Sequence, residues 1–217
     1  MQTVRAAVLA AAIAAPSLAT AAGHHSGPRL VVRLYDAFGV GAQDMATARA
    51  TAQSVLRSAG IELVWQDCGA IASSSASEAA CDGPVDPRDV LVRIPVAGFQ
   101  GPVDMLGFSF IDMRQHSGSL ATVFADRVEL MAGQTRSEMG KLLGRVIAHE
   151  IGHLLLGTNA HANRGLMRAH WSAVEIQRDE PVDWRMSPPD ARRTRQALLV
   201  RSTRPVVPVG RIARATE

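Results

Sequence analysis

The stretch between Thr135 and Gly157 limits most what this chain can fold into. Met139, Leu143, Val146, Ile147, Ile151, Leu154 and Leu155 recur at the spacing of a helix with a broad apolar face. Thr135-x-x-Glu138 has the form of a capping box, which predicts a helix opening at Thr135. Gly157 is the residue type that closes one in the left-handed conformation. So wide an apolar face has to be covered, and the rest of the chain must fold around it. Its polar exceptions, His149, Glu150 and His153, fall in its second half.

The flanking segments supply a sheet. Arg29 to Tyr35 reads as a strand, Gln43 to Ala59 as a helix with Gly60 as its C-terminal stop, and Ile61 to Trp65 as a second strand. Strand, helix, strand in that order is a βαβ unit, with a parallel pair and a right-handed crossover. Val90 to Val96 is a third strand. Leu106 to Ile111 and Leu120 to Glu129 are two more, joined by a polar turn around Ser117 and Gly118. Phe99-Gln-Gly-Pro102 is a loop. A last helix is expected near Pro189 to Arg201, and the Pro-rich tail over 204–217 is expected to be loose.

A chain of 217 residues suffices for one well-buried domain and is short for two. Its net charge of +3 is too mild, and its aromatics too sparse, for a nucleic-acid surface. Lys141 is the single lysine among 23 basic residues, a composition that suggests a GC-rich bacterial gene. Residues 1–22 read as a signal peptide. Arg5 gives the basic start, Ala6 to Ala15 the short apolar core, Pro16 a break, and Ala19-Thr-Ala21 the small-x-small cleavage pattern. The apolar run is too short for a membrane-spanning helix, so stable membrane insertion is not expected. Secretion or export to a periplasm is. In an oxidising compartment the only two cysteines, Cys68 and Cys81, are expected to form a disulfide, worth about 3 kcal/mol for a loop of this length.

The chemistry lies in His149-Glu-Ile-Gly-His153, followed by Leu-Leu-Leu-Gly157-Thr-Asn-Ala-His161. Four residues apart on a helix, His149 and His153 share a face at about 6 Å, close enough to share one metal ion. Glu150 is a quarter-turn away. It cannot easily ligate the same ion, yet it can reach a water bound to it, the arrangement for metal-activated water with a carboxylate base. The remaining histidines fit this less well. His116 sits in a polar turn, His170 follows the motif as an exposed residue, and His24 and His25 belong to a flexible N-terminal segment.

On these residues the chain resembles the metzincins, zinc endopeptidases of the zincin superfamily, which read HExxHxxGxxH and then set a methionine in a tight turn beneath the metal. The matching positions are His149, Glu150, His153, Gly157 and His161, with Gly165-Leu-Met167 as the Met-turn. Counted from the first histidine, the glycine falls at offset eight rather than seven and the third histidine at twelve rather than ten. The resemblance implies an α+β, zincin-like fold over residues 29–203: a mixed twisted sheet of about five strands, an active-site helix, the Met-turn and a C-terminal helix. It implies Zn2+ on His149, His153 and His161, with Glu150 taking a proton from water as general base and passing it to the leaving amine. Met167 would floor the site. Gly107, Phe108, Ser109 and Phe110 would form an edge strand along which a peptide or protein substrate pairs. Tyr35 is the only tyrosine, so a tyrosine near the Met-turn is absent.

Two alternatives stay open at this level. The third ligand is His161 or, as in a second zincin group, a glutamate on the following helix, here Glu175 in Ser172-Ala-Val-Glu175. The return segment from Gly157 favours His161, since four extended residues reach up to ~13–14 Å. The function is peptide hydrolysis, a non-catalytic zinc-containing binding protein, or a zinc amidase acting on small or cell-wall peptides. Glu150 argues against the second, because a purely structural site needs four protein ligands and no base.

Overall fold

The computed structural model describes residues 27–69, 81–98 and 104–203. The expected signal peptide, His24 and His25, the Phe99–Pro102 loop and the 204–217 tail lie outside them. In chain order come β1 (Arg29–Asp36), α1 (Ala42–Ser58), β2 (Glu62–Asp67), β3 (Asp89–Ile94), β4 (Gly107–Asp112), β5 (Ser117–Val123), α2 (Ala125–Thr135), α3 (Met139–Leu156), α4 (Ala173–Arg178), a 3-10 turn (Pro181–Trp184) and α5 (Pro188–Ser202).

This is an α+β fold on a mixed five-stranded sheet in the order β2-β1-β3-β5-β4. The pairs β1/β2, β1/β3 and β3/β5 are parallel, and β4 lies antiparallel on β5 at one edge. The parallel strands begin as near-continuous apolar runs because they are covered: Leu30, Val32, Val90, Val92 and Ile94 are wholly buried.

α3 runs through the centre, packed against α1, β4, β5 and α5. Its contact with α1 is unusually close. A Cβ at Gly140 would stand 2.6 Å from the Asp44 carbonyl oxygen, and one at Gly144 2.4 Å from that of Ala48. The two helix backbones therefore meet where side chains are missing. From α5, the buried Arg201 donates to the carbonyls of Leu154 and Gly118, satisfying the C-terminal end of α3. Arg145, also on α3, stacks over Trp184 at 3.8 Å and pairs with Asp179.

The structure corrects three expectations. The strand expected over Leu120 to Glu129 ends at Val123, and helix α2 follows. Its buried residues, Ala125, Val128, Ala132 and Thr135, have helical spacing that the β-like Val-Glu-Leu-Met run hides. The central helix does not open on a Thr135 capping box. Thr135 ends α2, with its hydroxyl donating to the Met131 carbonyl at 2.8 Å. α3 starts at Met139 behind an uncapped Glu138, and Asp44 from α1 accepts from the Gly140 N–H at 3.1 Å, a cap brought from 96 residues away. The polar turn lies at residues 113–116, before Ser117 and Gly118, which already belong to β5.

Cys68 and Cys81 form a disulfide, with their Cα atoms 5.5 Å apart. Arg33 anchors the segment after it, donating to the Gly83 and Pro84 carbonyls while ion-paired with Asp89. Among the described residues no helix is long and apolar enough to cross a membrane.

Candidate metal centre

His149 and His153 are both buried on α3, one turn apart, and their rings meet edge to face. Each is oriented through Nδ1. His149 Nδ1 stands 2.8 Å from the Leu166 carbonyl oxygen, and His153 Nδ1 2.8 Å from that of Thr158. A carbonyl oxygen only accepts, so both protons sit on Nδ1 and both Nε2 atoms present lone pairs. The chain makes these contacts by turning back at once. Gly157 ends α3 at φ 65°, in the left-handed region, and its N–H donates to the His153 carbonyl.

The return segment brings in the third imidazole. His161 Nε2 lies 3.3 Å from His153 Nε2, which lies 3.0 Å from His149 Nε2. All three ligand atoms fall within 4.8 Å of one another. For neutral rings with Nδ1 protonated, the 3.0 Å approach is lone pair against lone pair, unfavourable unless a cation lies between. Tetrahedral zinc with bonds of ~2.0–2.1 Å would set its nitrogens ~3.3–3.4 Å apart. The donor set therefore fits a divalent ion, and the electrostatics keep the rings in the neutral, ligating form. Burial pushes His149 down to about 3, with His153 adding to the shift, and burial likewise lowers His153 and His161.

Beneath the trio, residues 165–167 make a tight turn. The Met167 carbonyl accepts from Ala162 N–H at 2.7 Å, and Leu166 N–H donates to the Arg185 carbonyl. Met167 is buried against α3 at Gly152, where a Cβ would stand 2.5 Å from its sulfur. Glu175, the alternative ligand, is engaged elsewhere. It completes a capping box with Ser172 at the start of α4 and pairs with Arg168, and these partners hold its carboxyl down at about 2.

Glu150 follows His149 and is as deeply buried. Burial pushes its carboxyl up to about 7, against the pull of a hydrogen bond from Ser109. A cavity of about 420 Å³ opens beside His149, Glu150 and His161, walled by Met105, Leu106, Met131 and Trp171. On β4, Gly107 borders this cavity and Ser109 turns inward to Glu150, while Phe110 is half exposed and its ring meets that of Phe108 at 5.0 Å. His170 is exposed at the cavity rim, and His116 is exposed in its turn.

Several participants were not expected from the sequence. The Leu166 and Thr158 carbonyls that fix the rings carry no side-chain signature. Trp171, packed edge-on to His149 at 5.5 Å, is set only by the path of the chain after Met167.

Fold and site together define an α+β protein with a buried helix-borne carboxylate beside a three-histidine cluster that can hold a metal ion. No protein-family model matches the chain, and no curated protein does. Among solved structures, it is similar to a zinc-dependent peptidase from Methanocorpusculum labreanum. That similarity has a TM-score of 0.47 and 13% identity, over 77% of this chain and 99% of the other.

Proposed function

We propose that this chain is a zinc-dependent endopeptidase of the metzincin kind, exported and acting on peptide or protein substrates. The observation that carries the proposal is the convergence of three Nε2 lone pairs from His149, His153 and His161, two of them locked by Nδ1–H donation to backbone carbonyls. These three residues would hold the ion, with the 165–167 turn and Met167 packed against the helix that carries two of them. Zinc bound there supplies Lewis acidity for a peptide carbonyl and for the attacking water.

The rest falls to the chain's own groups. Glu150 takes the proton from the attacking water and delivers it to the leaving amine nitrogen. Burial raises the Glu150 carboxyl in the metal-free site, and a divalent ion held beside it would draw it back toward the carboxylate form that acts as base. The cavity walled by Met105, Leu106, Met131 and Trp171 receives an apolar side chain next to the scissile bond. The Cys68–Cys81 disulfide supports folding in an oxidising compartment, in keeping with residues 1–22 as an export signal.

The test is metal content together with one substitution. Purified protein should carry about one zinc per chain. Glu150→Gln should keep that zinc and lose hydrolysis of a peptide library by ~10²-fold or more. Protein that takes up no zinc after repletion, or a Glu150→Gln variant with unchanged turnover, would overturn the proposal.

A further inference from the structure

β4 packs against α3, and alternation along the strand divides its side chains. Phe108 and Phe110 turn one way, where Phe108 lies 5.8 Å from the Phe124 ring. Gly107 and Ser109 turn the other way, onto Glu150. Ser109 is buried, and its Oγ stands 2.7 Å from Glu150 Oε2 and 2.9 Å from the Glu150 main-chain oxygen. The single hydroxyl proton serves one of these at a time, and an ionised carboxylate is the stronger acceptor.

Gly107 does the complementary thing. A Cβ there would stand 2.9 Å from Glu150 Oε1, 3.0 Å from its Cγ and 2.8 Å from the Thr122 carbonyl oxygen. The Thr122 oxygen belongs to the β5 backbone and the carboxylate stands beside it, so a side chain at 107 must both strain β4 against β5 and crowd Glu150. One oxygen of Glu150 is thus held by a hydroxyl, while the other lies against bare backbone at the cavity.

We infer that Gly107 and Ser109 are positioning residues for Glu150: Ser109 holds Oε2, and Gly107 leaves the space that lets Oε1 face the cavity beside His149. The inference rests on the proposed role of Glu150, and it moves these two positions of β4 from contacting a substrate to orienting the base. It also accounts for a glycine and a serine at positions where a strand would otherwise favour β-branched or aromatic residues.

The experiment uses the full chain, with and without zinc, as parent, Ser109→Ala, Ser109→Thr and Gly107→Ala. The Glu150 carboxylate ¹³C resonance, assigned by its loss in Glu150→Gln, is followed in zinc-free protein. Zinc affinity and the kcat and KM for a labelled peptide are measured on loaded protein. Ser109→Ala should shift the resonance and lower kcat by ~10-fold or more, with KM and zinc affinity within about twofold of the parent. Ser109→Thr, which keeps the hydroxyl, should restore both. Gly107→Ala should move the resonance with the hydroxyl intact. If Ser109→Ala fails to fold, Ser109→Cys, similar in shape and a far weaker donor, is read in the same way.

An unmoved resonance in Ser109→Ala or in Gly107→Ala overturns the assignment for that residue. A loss of kcat matched by an equal loss of zinc affinity, unrescued by threonine, overturns it in favour of a merely structural role. If no form hydrolyses peptide, the proposed function fails, while the zinc-free resonance still decides whether these residues position Glu150.

Discussion

His161 and Glu175 were competing candidates for one role, and their surroundings predict opposite outcomes on truncation. His161 points Nε2 at His153, whereas Glu175 is spent on Ser172 and Arg168. His161→Ala should weaken zinc binding by ~10²-fold or more, and Glu175→Ala should leave it within about threefold, measured by competition with a chromophoric chelator. The reverse pattern would make Glu175 the ligand. Glu150 supplies a pH signature in the metal-free protein. Its folded-state carboxyl is raised to about 7 from 4.5, so its contribution is fully present below 4.5 and is lost as pH rises through about 7. His149, lowered to about 3 from 6.5, works the other way: its contribution is present above 6.5 and lost as pH falls toward 3. Glu150→Gln removes only the first effect. Its melting temperature relative to the parent should therefore climb steadily from about pH 5 to about pH 7. A difference that stays flat over that window would show that burial does not perturb this carboxyl.

At the scale of elements, the α1–α3 contact is a joint in which backbone meets backbone at Gly140 and Gly144. Gly144→Ala sets a methyl group against the Ala48 carbonyl and should cost about 1–3 kcal/mol in urea denaturation. Asp44→Ala, which strips the start of α3 of its borrowed cap, should cost about 0.5–2 kcal/mol. A neutral result at both positions would mean the helices separate without strain. The same joint marks how far the sequence could be read. The apolar period of α3 was legible, as were the parallel strands around α1 and the histidines at positions 149, 153 and 161, because periodicity and motif spacing are local. The start of α3 was not, since its cap comes from another helix. Thr135-x-x-Glu138 and Ser172-x-x-Glu175 share one pattern, yet only the second is a capping box. The Thr135 hydroxyl is already taken by the Met131 carbonyl of the helix it ends. In the site, Ser109 could be read as a strand residue but not as a partner of Glu150, because that contact depends on how β4 meets α3.

Across the whole molecule, the disulfide and the histidine cluster belong to opposite ends of the sheet. Cys68 follows β2 at one edge, while Glu150 leans on β4 at the other, with β1, β3 and β5 between. Reducing the disulfide should therefore lower stability by about 3 kcal/mol and leave zinc stoichiometry unchanged. Loss of zinc under mild reduction would mean that the two ends are coupled through the sheet. The compactness of the cluster along the chain has a separate effect. All three imidazoles come from residues 149–161, so an unfolded chain need close only short loops to gather them. Denatured protein should then chelate zinc appreciably, and the metal should raise the unfolding midpoint by less than its affinity for the native state alone would give.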